Sequence, residues 1–245
     1  MVGAVTWLQG SGVTPSTYAA QLEAMRADID SHAKSVTGQA QDVKLIVWQQ
    51  YPASNTPTAQ ESAKGVYDRF VAAADTYPHI VCAGPGYQWP QQSSVNIHYT
   101  SAGQIGLGKA FGQAIKRTIV DGVKFQPLRP LSIRRQGKVI TIRFNVTAGS
   151  LVADTTQVVT IGNLGFNLYS SGGSLLTLSA AEITGPDTIK LTAASSVPSG
   201  AILGYADIGT DATDANKWRG NVRDDAGDFG GDHRWLVAFR LPLDN

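Results

Sequence analysis

The hydrophobic pattern of this chain changes halfway along its length, and that change limits the folds open to it. From Val2 to about Val120, short apolar runs alternate with amphipathic segments of helical periodicity, which is typical of a parallel sheet with crossover helices. After Gln126-Pro127-Leu128-Arg129-Pro130, short alternating runs are separated by turn residues, which predicts an all-β sandwich or jelly roll. We therefore predict two domains, residues 1–124 and 125–245, that meet near the proline-rich segment.

The same patterns predict the individual elements. In the first half, strands are expected at residues 4–8, 43–48 and 79–83, and helices from Thr14-Pro15, from Thr56-Pro57 and over residues 101–119. In the second half, alternation predicts strands at residues 139–144, 157–161, 174–178, 188–191, 201–205 and 235–241.

Composition excludes several classes of function. The formal net charge is +1 and the lysines and arginines are scattered, so the basic patch that a nucleic-acid backbone requires is not predicted. No apolar run approaches the roughly 20 residues of a membrane span, and no basic leader marks a classical signal peptide. The one cysteine, Cys82, excludes an internal disulfide and lies in an apolar run typical of a buried residue. No histidine pair has metal-ligand spacing, so we predict neither a metal nor a cofactor.

The first predicted strand starts the chain, and one of its edges has no neighbour in the predicted sheet. An unpaired apolar edge is an association site, and three strands are few for a doubly wound layer. Two interpretations remain open: a C-terminal strand folds back onto this edge, or another protein chain completes the sheet. We expect the second, which predicts a hetero-oligomer.

Two strand ends in the first half carry short polar motifs. Trp7-Leu8-Gln9-Gly10-Ser11 closes the first strand, and Tyr18 and Leu22 follow in the next helix. The second strand also ends on a glutamine, in Leu45-Ile46-Val47-Trp48-Gln49.

A third block, between Ser94 and Gly103, places His98 directly before the third helix, with Thr100 close behind it. The order and spacing of the three blocks resemble the SGNH or GDSL hydrolase superfamily, and within it the carbohydrate esterases related to sialate O-acetylesterase. The segment Trp218-Arg219-Gly220-Asn221-Val222-Arg223-Asp224 is similar, less closely, to the β-domain tail of some esterase-like proteins.

This resemblance implies a fold and a site. The fold would be a partial flavodoxin-like, SGNH-type parallel sheet with crossover helices, followed by the β-sandwich or jelly-roll domain. His98 would be the base that takes a proton from a serine hydroxyl, while Gln9 and the Gly10 amide would help to hold the oxyanion.

The chain departs from the family pattern in three places. The Gly-x-Ser block that carries the family's nucleophile would precede the first strand, and no such block precedes Ala4 in this sequence. Val95 stands where the family has an aspartate three residues before the histidine, and Ser11 replaces the glutamate of the Gln-Gly-Glu block. Valine can neither orient an imidazole nor stabilise its charged form. The alternative is therefore that His98 is only a polar residue near the first helical turn.

Two aromatic residues are candidates for a glycan contact. Tyr87 and Trp89 lie in the loop Gly84-Pro85-Gly86-Tyr87-Gln88-Trp89-Pro90, which follows a strand at the end where parallel sheets bind ligands. Sugar rings stack on exposed aromatic faces; the alternative is that one ring packs beneath the loop.

Two functions follow from the resemblance and its departures. The first is a fibre or spike subunit of a phage or phage-like particle, on the surface of a virion or other extracellular particle. It would recognise host surface polysaccharide through a degenerate esterase-like domain assembled with a partner chain. The second is an active carbohydrate O-acetylesterase that carries His98 and receives its serine from a partner chain. Missing motifs favour the first function, whereas the retained Gln9, Gly10 and His98 favour the second.

Overall fold

A three-stranded parallel sheet organises the N-terminal half of the computed structural model, which describes residues 1–8, 16–49, 67–90, 99–207, 219–227 and 233–243. The strand order is β1 (Ala4–Trp7), β2 (Lys44–Gln49) and β3 (Ile80–Pro85). The central strand β2 is buried along all but its first residue, as expected for a strand covered on both faces. The predicted parallel sheet is confirmed.

Three α-helices accompany these strands in the described residues: α1 (Tyr18–Thr37), α2 (Ala73–Thr76) and α3 (Ser101–Ile115). A π-helical segment, Tyr67–Ala72, leads into α2, and a second one, Lys116–Val120, follows α3. The Thr100 side chain caps α3 by accepting a hydrogen bond from the Gly103 N–H, so the helix predicted from residue 101 is confirmed. The predicted helix starts at Thr14-Pro15 and Thr56-Pro57 lie outside the described residues.

The sheet has a separate hydrophobic core on each face, because successive residues of β2 point to opposite sides. On one face, Leu45 and Val47 pack with residues of α1 and the π-helical segment, among them Tyr18, Leu22 and Phe70. On the other face, Ile46 and Trp48 pack with α3 residues that include Leu107, Phe111 and Ala114. None of the helices in the described ranges is both long and apolar enough to cross a lipid bilayer.

The C-terminal half consists of antiparallel sheets, so the predicted β-rich region is confirmed. One sheet has four strands in the order β4 (Pro130–Gln136), β5 (Val139–Phe144), β10 (Thr188–Ala193) and β9 (Leu178–Gly185). A second sheet has four strands in the order β13 (Phe239–Pro242), β11 (Ile202–Tyr205), β7 (Phe166–Tyr169) and β8 (Leu175–Leu176). The strands β6 (Leu151–Ala153) and β12 (Val222–Asp224) form a further pair. Both four-stranded sheets contribute to one hydrophobic core, to which Ile142, Leu191 and Leu203 belong.

The strand predicted at residues 157–161 is wrong. This segment forms no ladder in the structure, and the side chain of Asn221 takes the place of a neighbouring strand. Its amide nitrogen donates to the carbonyl oxygens of Val158 and Val159, and its oxygen accepts from the Ile161 N–H. An alternating apolar segment therefore has its backbone satisfied by one buried side chain rather than by a sheet.

The strand predicted at residues 235–241 is shorter in the structure, because β13 begins only at Phe239. Before it, Trp235 and Leu236 form single bridges with Arg223 and Leu128. This stretch runs between the parallel sheet and the antiparallel sheets and contacts both. The division of the chain at residues 124 and 125 stays a prediction.

Candidate functional site

The three parallel strands end at one edge of their sheet, and the predicted site residues follow these ends in the sequence. Leu8 leads from β1 toward residues 9–15, and β3 leads through residues 86–90 toward residues 91–98. Gln9, Gly10 and His98 themselves lie outside the described residues. The described residues on either side form the frame of the candidate site.

The chain on the two sides of residues 91–98 is held together by hydrogen bonds. Pro90 O accepts from the backbone N–H of Thr100 at 3.0 Å and from its hydroxyl at 3.2 Å. Gly103 lies against the same carbonyl, so closely that a Cβ atom at this position would overlap it. The threonine and glycine of the His98 motif therefore hold the residues after His98 against Pro90, the last described residue before it.

Tyr99, the residue after His98, is fixed in the core between the sheet and α3. Its hydroxyl donates to Gly86 O at 3.0 Å, and its ring meets the Trp48 ring edge-on with centroids 5.4 Å apart. Gly86 has no room for a side chain, since a Cβ atom there would overlap the Trp48 ring. The loop after β3 and the residue beside His98 are thus fixed to each other.

The first motif has a structural role in its described part. The Trp7 indole nitrogen donates to the Tyr18 hydroxyl at 3.1 Å, and the Tyr18 ring packs edge-on against Phe70. Tyr18 and Leu22 are buried at 7% and 2% exposure, whereas Leu8 is 55% exposed. The tryptophan and tyrosine of this motif therefore fasten α1 to the strand that leads to Gln9.

The prediction of a glycan contact does not hold for Tyr87, because its ring lies in the core of the antiparallel sheets. Only 3% of the residue is exposed, and its hydroxyl donates to Leu236 O at 2.6 Å. Burial, together with the neighbouring Tyr205, raises the pKa of Tyr87 well above its usual value, so the hydroxyl stays protonated. The alternative that one ring packs beneath the loop is confirmed for this residue.

Trp89 differs from Tyr87 because its side chain is only partly buried. One side of the ring packs on α3 at Gly106, where a Cβ atom would overlap the ring. Its role in ligand contact stays a prediction.

Gln49 has a role that the motif comparison did not foresee. The residue is 2% exposed; its amide nitrogen donates to Ala238 O at 2.6 Å, and its oxygen accepts from the Ala238 N–H at 2.7 Å. A side-chain amide has the donor and the acceptor that such a double bond to a backbone residue requires. The glutamine that ends β2 therefore ties the parallel sheet to the segment before β13.

The segment from Arg219 to Asp224 also has a structural role. Asp224 is fully buried and forms an ion pair with Arg234 at 2.6 Å, while Arg223 pairs with Asp154 at 2.7 Å. Burial raises the pKa of Asp224 despite its partner. Burial also acts to raise the pKa of Asp154. Hydrogen bonds from the backbone of residues 156 and 157 and from Arg223 outweigh this effect of burial and hold the pKa at about 2.

Two further sequence predictions concern reactive groups. Cys82 is fully buried, and burial raises the pKa of its thiol to about 12, which confirms a buried, unreactive cysteine. Within the part of the chain that the structure describes, no three histidine, cysteine, aspartate or glutamate side chains converge as a metal site would require.

Comparison with known proteins gives similarity at the level of the fold. No protein-family model and no curated protein matches the sequence. Among solved structures, a carbohydrate acetylesterase from Xanthomonas citri matches 97% of this chain at 14% identity with a TM-score of 0.58. The N-terminal part of the bacterial S-layer protein SbsC matches 92% of this chain and 38% of its own at 11% identity, with a TM-score of 0.31. The chain spans half the length of the acetylesterase chain, and the likeness to that structure shows a shared esterase-like fold.

Proposed function

We propose that this chain is a carbohydrate-recognising subunit with an esterase-type parallel layer, displayed on the surface of a virion or other extracellular particle as part of a fibre or spike. Its ligand is a host surface polysaccharide. The observation that carries this proposal is the fold shared with a carbohydrate acetylesterase, which extends over the parallel sheet and the antiparallel sheets together. The ligand class is inferred from the fold, and because one fold can host unrelated functions, the binding experiment below has to test it directly.

Recognition without hydrolysis agrees best with the residues around His98. A triad histidine needs a carboxylate that orients its ring and stabilises its charged form, and Val95 occupies the position of that carboxylate in the resemblance. Asn96 next to it carries no charge. By contrast, the described residues that follow His98 keep structural contacts, since Tyr99, Thr100 and Gly103 are all engaged as described above.

The carbohydrate would bind at the carboxyl ends of the parallel strands, where open parallel sheets bind their ligands. Trp89 lies at this edge, directly after β3 and its loop, and remains partly accessible. An indole that presents part of its ring to solvent suits the stacking contact that sugar rings make.

We also propose that another protein chain completes the parallel sheet at β1. Among the described strands, β1 pairs with β2 alone, so one edge carries backbone groups that no described strand satisfies. Thr6 of β1 pairs with Ile46 of β2. Ile46 is fully buried, whereas Thr6 is exposed, so the outer strand is less covered than the central one. Leu8, which directly follows β1, is 55% exposed. An unpaired strand edge next to an exposed apolar side chain supports a protein interface here.

A second candidate function is an active carbohydrate O-acetylesterase, in which His98 acts as the base and a partner chain supplies the serine. The same fold similarity favours it, as do Gln9 and Gly10, to which the family resemblance assigns oxyanion support. The two functions differ in one measurable product, which is free acetate.

The test is a comparison of the chain alone with the chain co-expressed with its neighbouring upstream reading frame. Both samples are assayed for retention of bacterial polysaccharides and for acetate release from O-acetylated forms. We expect retention without acetate release. Acetate release that is lost in His98→Ala and kept in His32→Ala, an exposed histidine on α1, would establish the esterase instead. Failure to retain any polysaccharide would overturn the recognition proposal.

A further inference from the structure

A small cavity lies between the loop after β3, the helix α3 and the residues that precede β13. Its lining includes Gln88 and Trp89 of the loop, Ala110 of α3, and His233 from the C-terminal segment. The loop is held in place by two hydrogen bonds to its backbone: Gln157 donates to Gln88 O at 3.0 Å, and Arg219 donates to Trp89 O at 3.4 Å.

Three side chains of this lining carry buried polar atoms that have no hydrogen-bond partner among the described residues. These atoms are Gln88 Oε1, Trp89 Nε1 and His233 Nδ1. Gln88 is 97% buried, at 3% exposure, and its Nε2 donates to Pro85 O at 2.9 Å. This bond fixes the orientation of the amide, because a flipped amide would place its oxygen against the Pro85 carbonyl. An unsatisfied buried polar atom costs free energy, so three around one cavity indicate a shared partner.

The chemistry of these atoms defines that partner. Gln88 Oε1 accepts, Trp89 Nε1–H donates, and His233 Nδ1 does either according to its tautomer. Arg234 also lines the cavity, but its charge is balanced by its ion pair with Asp224. An anion would be repelled by the glutamine oxygen, and a cation by the indole N–H and the guanidinium. A neutral hydroxyl group both donates and accepts, and it therefore satisfies the glutamine and the tryptophan at the same time.

The size of the cavity agrees with one such group. Its volume is about 10 Å³, and a buried water molecule needs roughly 10–15 Å³ and two to four polar partners. A sugar ring is too large, although one of its hydroxyl groups is not.

We propose that this cavity is a binding site for a single hydroxyl group, held by Gln88, Trp89 and His233 at the junction of the parallel layer and the antiparallel sheets. The hydroxyl comes either from an ordered water molecule or from a carbohydrate. The site does not depend on acetyl hydrolysis or on any partner chain.

Nuclear Overhauser measurements between the tryptophan indole protons and water test this site in the intact protein. Trp48 provides an internal control, since its Nε1 is also buried without a described partner but does not line the cavity. We expect a cross peak between the Trp89 indole proton and a long-lived water, and none at Trp48. The His233→Phe variant, which removes one of the three partners, should weaken the Trp89 cross peak.

Addition of a methyl glucoside distinguishes the two sources of the hydroxyl. If the water cross peak at Trp89 is replaced by cross peaks to sugar protons, a carbohydrate hydroxyl occupies the site; if it is unchanged, water does. No cross peak at Trp89 in either sample, or equal cross peaks at Trp89 and Trp48, would overturn the proposal.

Discussion

The side chain of Gln49 forms two hydrogen bonds with the backbone of Ala238, a residue that lies 189 positions further along the chain. Both residues are buried, at 2% and 9% exposure. The contact joins the carboxyl end of the central parallel strand to the segment that leads into β13. Both halves of the chain are therefore held against each other at the edge where the candidate site lies.

Replacement of Gln49 by leucine should destabilise the protein by about 3 kcal/mol, because it leaves the buried Ala238 N–H and C=O without partners. Urea unfolding measures this loss. Gln104→Leu is the matched control, since Gln104 is exposed on α3 and its replacement should change stability by less than about 0.5 kcal/mol. Equal effects of the two substitutions would contradict a structural role for the Gln49 contact.

Two glycines of α3 should respond in opposite directions to replacement by alanine. At Gly106 a Cβ atom would overlap the Trp89 ring, so Gly106→Ala should destabilise the protein by about 2 kcal/mol. At Gly108 no atom lies within 4 Å of the added methyl group, so Gly108→Ala should stabilise the helix by up to about 1 kcal/mol. Thermal unfolding of both variants shows whether each substitution stabilises or destabilises the protein. A stabilising Gly106→Ala would show that Trp89 does not pack on this helix.

Acid should weaken the contribution that Asp154 makes to the stability of the folded protein. Its pKa is about 2 in the folded protein against an ordinary value of 3.8. The unfolded chain therefore binds the proton first, and about 2 kcal/mol of stability, present above pH 4, is lost as the pH falls toward 2.

The Asp154→Asn variant isolates this effect from that of the other carboxylates. The difference in unfolding free energy between wild type and variant should shrink between about pH 6 and about pH 2.5. The raised pKa values of Asp207 and Asp224, both caused first by burial, affect the two proteins alike. A difference that stays constant with pH would contradict the low pKa of Asp154.

Asn221→Ala should release the segment from Val158 to Ile161, because the Asn221 amide replaces a neighbouring strand there. We expect a loss of about 3 kcal/mol in stability and faster hydrogen exchange at the Ile161 amide. The Ile142 amide of β5 lies in a regular ladder and serves as the internal control. Unchanged protection at Ile161 would show that another group satisfies this backbone.

The parallel layer could be predicted from the sequence because its signals are local. The continuous apolar run of β2 and the helical spacing after Ser101 depend on residues close together in the chain. The strand β4 was missed because its first residue, Pro130, belongs to the segment interpreted as a boundary; proline is tolerated at the first position of a strand.

The remaining errors have long-range causes. The segment at residues 157–161 has the alternation of a strand, but its partner is a side chain about 60 residues away, which no local pattern reveals. The burial of Tyr87 depends on Leu236 and Tyr205, and the role of Gln49 depends on Ala238. The frame of the candidate site could be anticipated from Thr100 and Gly103, whereas Gln9, Gly10 and His98 remain sequence predictions.

The most direct test of the proposed function is a measurement of free acetate together with bound polysaccharide in one sample of the purified chain and an O-acetylated bacterial surface polysaccharide. The account predicts that the polysaccharide is retained and that no acetate is released. If the chain retains no polysaccharide, carbohydrate recognition is contradicted; if it releases acetate and His98→Ala abolishes that release, the degenerate site is contradicted.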